Sequence, residues 1–310
     1  MTQGSVVGPQ VDPFSLALSY SASAMHWKCP ASYGRRYVLK EKAPWDEDAT
    51  VRVVGTVVDR AARQFFLSAR AGQPDPSLLQ AAPGGFLREE ITKQLANPKV
   101  RLGPGKFAET PEEAVKVIAE AADNLRGMID SESLIRGQSV LLTEDHEFLG
   151  TTGFGDWRNP LVVNPWLRVT GKFDYFGSRD QRTPGRLVDF KASRSVNFLD
   201  PHQLKLYQLA LRLKWGLEAG MAGYGLFTQR RFHWYNFTAD DLKETEQRFT
   251  ETAVRIAEGV FPYTPSYSAC RLCPYRTSCK DAVLKDAEAP VVVPRAPIGT
   301  PSTLLDMPDL

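Results

Sequence analysis

GRLVDFKAS, residues 185–193, is the stretch whose reading decides the fold. Side chains on a strand alternate between faces, so Asp189 and Lys191 share one face while Val188 and Phe190 turn into a core. An Asp-x-Lys pair by itself is an ordinary salt bridge on a half-exposed sheet. The neighbouring stretch GKFDYF, residues 171–176, places Asp174 on the preceding strand and adds a second carboxylate. Two carboxylates beside a lysine suit metal-assisted phosphodiester hydrolysis. Hard oxygen donors hold Mg²⁺ or Mn²⁺, and an ammonium can orient the attacking water or offset charge in the transition state.

Outward from this pair, QSVLLTEDHEFL (138–149) and WLRVTGKFDYFG (166–177) also read as strands. Glu144 and Glu147 on the first of these read as solvent-facing. A helix is expected over 201–215, with Asp200 as its cap and Gln203 at the third position of a capping box. AGYGLFTQ (222–229) and RFHWYNF (231–237) suggest a further strand pair, and Thr238 caps a long helix to about Gly259. Upstream, apolar spacing predicts helices over 55–71 and 86–97, on either side of a Pro/Gly loop at 72–85. Thr110, Pro111 and Glu113 open another helix over 110–130 with a capping box. The fold class is therefore α/β: a mixed central sheet flanked by helices, with a helical N-terminal part. A flexible lead (1–15), one domain (16–284) and a disordered tail (285–310) are expected, the tail offering a place for a protein partner.

Bulk composition excludes little beyond this. Lys and Arg number 38 against 36 Asp and Glu, so a net charge of +2 provides no global field for nucleic acid and any such contact must be local. No apolar run approaches the length of a membrane span, and the first residues lack a signal-peptide pattern, so no membrane association and a cytoplasmic location are expected. Oligomeric state is not readable.

The chain has four cysteines. CRLCPYRTSC (270–279) holds Cys270, Cys273 and Cys279, and Cys29 lies in SYSASAMHWKCPASYGRRYVLK (19–40), a turn and a short helix. In a reducing compartment clustered cysteines are metal ligands or catalytic groups more often than disulfides. Zinc commonly takes two paired Cys-x₂-Cys knuckles, and only one is present; a triplet with one distant partner suits an iron–sulfur cluster better, with zinc as the alternative. His26, His146, His202 and His233 form no metal-ligand spacing and read as surface or packing residues.

Six stretches in order resemble the PD-(D/E)XK nuclease superfamily and its RecB-like iron–sulfur branch. That branch includes the AddB-type nuclease domain and the iron–sulfur exonucleases of CRISPR adaptation. The stretches are SYSASAMHWKCPASYGRRY, GTVVD (55–59), GKFDYF, LVDFKAS, HQLKLYQLAL (202–211) and CRLCPYRTSC, together covering about residues 19–280. The resemblance implies a restriction-endonuclease-like fold with Asp174, Asp189 and the carbonyl of Phe190 as metal ligands and Lys191 as the catalytic lysine. Gln203 and Tyr207 would sit beside the active site or the DNA. It also implies a [4Fe–4S] cluster on Cys29, Cys270, Cys273 and Cys279 that joins the two ends of the domain. Where many relatives carry a metal-binding histidine this chain has Asp59, a sound oxygen ligand or else a solvated residue early in a helix. Arg35, Arg36 and Arg231, among aromatic residues, are candidate DNA contacts as well as ordinary solvated cations. The expected function is a Mg- or Mn-dependent exonuclease on DNA ends or single strands, in recombination, phage DNA processing or CRISPR adaptation. The alternative is an inactive relative that binds DNA or a partner through the iron–sulfur fold.

Overall fold

The structure, a computed structural model, describes residues 5–9, 18–43, 50–132, 139–143, 169–179, 184–193, 199–271, 273–279 and 282–283. The strands are β1 (Ser5–Val7), β2 (Leu18–Ser19), β3 (Ser139–Thr143), β4 (Val169–Thr170), β5 (Tyr175–Ser178), β6 (Gly185–Lys191), β7 (Ala219–Leu226), β8 (Arg231–Tyr235) and β9 (Val260–Pro262). The α-helices are α1 (Tyr20–Lys28), α2 (Pro30–Tyr33), α3 (Thr50–Arg70), α4 (Phe86–Leu95), α5 (Pro111–Ser131), α6 (Pro201–Ala210), α7 (Ala239–Ala257) and α8 (Tyr267–Cys270).

Five strands form the central sheet in the order β3-β5-β6-β7-β8. Only β6 and β7 run parallel, with Asp189 opposite Tyr224 and Lys191 opposite Leu226, and α6 makes the crossover between them. The other pairings are antiparallel. Alternation along β6 feeds two cores. Val188 and Phe190 join Val57, Val58, Ala61 and Phe66 of α3 and the apolar stripe of α5, while Leu187 joins Leu204 and Tyr207 of α6 and Phe249 of α7. Phe66 stacks on Phe190 with centroids 5.6 Å apart, a contact that fixes α3 against the end of β6. Two apolar faces packed by helices make a three-layer α/β/α arrangement.

Local chemistry explains the helix starts. Thr110 accepts from the Glu113 N–H at 3.2 Å and Pro111 opens α5. The Glu113 carboxylate reaches the Glu109 N–H at 2.7 Å, so the expected reciprocal bond is made one residue upstream of the cap. In α7 the box closes fully between Thr238 and Asp241.

Two expectations are corrected. Ser5–Val7, inside the expected flexible lead, pairs antiparallel with β9, with Val6 opposite Phe261. The continuous strand expected over 166–177 is broken: β4 pairs with β2 in a separate parallel ribbon, and only β5 joins the main sheet. The helix expected over 201–215 is present, α-helical to Ala210 and closing in a π-helical turn, Leu211–Trp215, stopped by Gly216 at φ 64°. Glu144, Glu147, His146 and the tail 285–310 lie outside the described residues.

Candidate active site

The site is built at a fork in the sheet. Strands β5 and β6 pair from Gly177↔Arg186 to Tyr175↔Val188 and then part. Beyond Val188 no described strand lies on the β5 side of β6. Asp174, just before β5 and not on it as expected, fills this gap, and its Oδ2 accepts the Phe190 N–H at 2.6 Å. The backbone donor freed by the fork is thus capped by a site carboxylate.

Asp189 is 3% exposed. Its Oδ1 accepts from Gln203 Nε2 at 3.3 Å. Its Oδ2 accepts from the Lys191 ammonium, with Nζ 2.5 Å away, and as a carboxylate oxygen it keeps a second lone pair for another partner. Gln203 Nε2 also donates to the Tyr207 hydroxyl at 2.8 Å. Gln203 therefore turns into the site and does not close a box on Asp200, which caps α6 through the His202 N–H at 3.0 Å. Tyr207 is buried with its hydroxyl among the carboxylates, beside the active site.

Asp59 comes from α3. At Gly55 the helix lies against the end of β6, where an added Cβ would make an ordinary contact with the Ala192 Cβ at 3.4 Å. One turn later Asp59 adds its charge to those acting on Asp174, Lys191 and Tyr207. Burial pushes Asp174 well above the usual carboxylate range, and the charges of Asp189 and Asp59 push the same way. Burial likewise raises Asp189, against the opposing charge of Lys191. Burial alone would depress Lys191, but the carboxylates of Asp189, Asp174 and Asp59 more than offset it and hold the ammonium above its ordinary value. Three carboxylates around one ammonium form an electronegative pocket short of positive charge, and an oxygen with spare capacity faces it; this donor set fits a hard divalent ion. Among the described residues no group of three or more Asp, Glu, His or Cys side chains is drawn together as a ready-made ion site.

None of the four cysteines is in a disulfide, and all four line one small cavity of about 20 Å³. Cys29 sits between α1 and α2, outside both helices, and Cys270 ends α8. Around them the two chain segments are tied together. Tyr275 donates to the Glu41 carbonyl at 2.9 Å, Thr264 to the Lys28 carbonyl at 3.2 Å, and Ser32 Oγ lies 3.6 Å from Cys273 Sγ. Arg35 lines the same cavity, paired with Glu41 at 2.6 Å and lying over the Tyr275 ring, so its guanidinium is engaged within the protein and not presented to DNA. Arg36 lies over Tyr37, and Arg231 is exposed at the start of the edge strand β8.

Sequence reasoning missed Tyr20, Tyr224 and Arg248, and took His202 for a surface or packing residue. Tyr224 donates to the Asp200 carbonyl at 2.7 Å, and the Tyr20 hydroxyl is bonded to the Asp200 carboxylate. The one signal was the Asp200-Pro201 helix start, which marks where they converge.

A mixed sheet with a parallel β6–β7 pair, two carboxylates and a lysine at its fork, and helices on both faces defines a restriction-endonuclease-like fold. A profile of the PD-(D/E)XK nuclease superfamily matches residues 17–280, and the chain belongs to that superfamily of nucleases, whose members generally use divalent metals such as Mg²⁺ or Mn²⁺. Among solved structures, that of a "Putative exonuclease" from Eubacterium rectale is similar at 15% identity and a TM-score of 0.46, over 88% of this chain and 91% of that one. No curated protein matches. No described helix is long and apolar enough to cross a membrane.

Proposed function

We propose that this chain is a Mg²⁺- or Mn²⁺-dependent DNA exonuclease acting on DNA ends or single strands. The observation that carries the reading is the fork between β5 and β6, where Asp174, Asp189 and Lys191 meet at the open side of the sheet. Asp174, Asp189 and Asp59 would hold the ion, with the Phe190 carbonyl and waters completing its oxygen shell. The chemistry such an ion supplies is Lewis acidity toward water and toward the scissile phosphate.

The chain's own residues do the rest. Lys191 remains cationic at neutral pH, because its carboxylate neighbours raise it, so it is a donor and a charge and not a general base. It orients the attacking water and stabilises the charge that develops on the phosphoryl oxygens. Gln203 holds Asp189 in place. Tyr207 and Tyr224 have hydroxyls pushed up by burial and by the Asp189 charge, so they stay protonated and act as neutral hydrogen-bonding groups.

The four cysteines would hold a [4Fe–4S] cluster. All four cysteines line one cavity, so the distant Cys29 meets the 270–279 triplet, and a triplet with one distant partner suits a multi-iron cluster better than the paired Cys-x₂-Cys knuckles common at zinc. Its role is a clamp between residues 29 and 270–279, fixing a rim of the domain.

The test is purification under anaerobic conditions, followed by incubation with end-labelled single- and double-stranded DNA and Mn²⁺. Mononucleotide or short products released from an end, lost in Asp189→Ala and Lys191→Ala, are expected. Cleavage that survives both substitutions refutes the proposal.

A further inference from the structure

Asp200 has more partners than a helix cap needs. An N-cap needs only one side-chain acceptor, which takes one of the free N–H groups of the first turn. Here Oδ1 accepts from the His202 N–H at 3.0 Å and lies 2.8 Å from His202 Nδ1. The carbonyl of Asp200 accepts from Tyr224 of β7 at 2.7 Å, and Tyr20 of α1 bonds its carboxylate. Behind His202 stands Arg248 of α7, with Nη1 2.7 Å from Nε2 and the guanidinium 3.8 Å above the Trp27 ring of α1. A guanidinium only donates, so His202 Nε2 is the acceptor and the ring proton is on Nδ1, aimed at Asp200. Elements α1, β7 and α7 thus converge on the first turn of α6. The next residue in that turn is Gln203, whose amide reaches Asp189.

We propose that the chain Trp27–Arg248–His202–Asp200, with Tyr20, is a positioning device for the nuclease site: it fixes the first turn of α6 so that Gln203 holds Asp189 oriented toward the metal. Outer partners that orient a ligand commonly set metal affinity by 10- to 100-fold, whereas a cap serving stability alone leaves affinity untouched. This inference rests on the metal-site reading above.

The test measures Mn²⁺ binding by the paramagnetic resonance of free Mn²⁺ on the full chain, alongside Tm, kcat and KM. In His202→Leu and Tyr20→Phe the Mn²⁺ dissociation constant should rise by about 10-fold. Their kcat should fall while KM for DNA stays close to wild type. His202→Gln, which can donate to Asp200 and accept from Arg248, should recover most of the loss. Leu242→Ala, in the same core under α7 but outside the chain of contacts, should lower Tm with Mn²⁺ affinity unchanged. Unchanged Mn²⁺ affinity in both His202→Leu and Tyr20→Phe overturns the inference, as does affinity that simply follows Tm across all variants, Leu242→Ala included. Asp189→Asn separates the two levels. If it abolishes binding while His202→Leu does not, only the positioning device fails; if it leaves binding unchanged, the metal reading fails and takes this inference with it.

Discussion

Lys191→Met is the perturbation with the sharpest consequence. It removes the ammonium 2.5 Å from Asp189 Oδ2 and leaves the aliphatic stem in place. At that separation and an effective dielectric near 20, the gross attraction is about 7 kcal/mol, most of it offset by desolvation. The Asp189 side chain is 4% exposed and that of Lys191 35%. Breaking a fully buried pair costs about 3–5 kcal/mol and an exposed one at most about 1, so screening at the lysine end puts this pair near 2–3 kcal/mol. For a chain of this length that is a fall in Tm of about 4–6 °C in metal-free buffer. Mn²⁺ should restore most of the loss in Lys191→Met, because a divalent ion replaces the missing positive charge among the same carboxylates. It should do nothing for Asp189→Asn, which lacks the charge to attract it. Differential scanning fluorimetry with and without Mn²⁺ reads both effects. A metal-free Tm equal to wild type, or a Lys191→Met protein indifferent to Mn²⁺, would refute the electrostatic account of the site.

Other outcomes follow from the same geometry. Asp174 and Asp189 are raised by folding, so their contribution is fully present below the unfolded carboxylate value of about 4 and is lost as pH rises through the raised folded values. The difference in Tm between Asp174→Asn and wild type, both metal-free, should therefore grow in the variant's favour as pH rises from about 4 to 7; a constant difference contradicts this. In Gly225→Ala the new Cβ would meet Phe190 Cδ1 at 2.5 Å, next to Asp189, so about 1–3 kcal/mol of stability and much of the cleavage rate should be lost, read by urea melts and kinetics. Cys270→Ala should lose iron, sulfide and visible absorbance together with soluble yield; full cluster retention would remove Cys270 from the ligand set.

The strand carrying Asp189 and Lys191 was legible because alternation is a local property, and β6 keeps it through Leu187, Val188, Asp189 and Phe190. The helix starts at Thr110 and Thr238 were legible for the same reason, since a cap is decided within four residues. The break in 166–177 was not. Nothing between Val169 and Asp174 forbids a strand, and the break arises because Leu18–Ser19, some 150 positions earlier, takes the first half as its partner. Gln203 shows the same limit at the site. Local sequence offers it Asp200, but tertiary packing presents Asp189 and Tyr207, and a buried carboxylate is the more demanding partner. Tyr20, Tyr224 and Arg248 carried no local signal, because their role exists only where three elements converge.

Helix α1 connects the two centres. Tyr20 at its start is bonded to Asp200, and Cys29 follows directly on its last residue, Lys28. At 1.5 Å per residue its nine residues span about 14 Å, so the thiol cavity and the carboxylate site are one short helix apart. Trp27, the last residue but one of α1, is held from above by Arg248 and donates to Thr252 Oγ1 at 2.7 Å, both on α7. Whatever fixes Cys29 therefore also fixes the end of α1 that the Arg248–His202 contacts lean on. The proposed clamp at the cysteines would then act on the nuclease site mechanically, by limiting the travel of α1, with no electron transfer required.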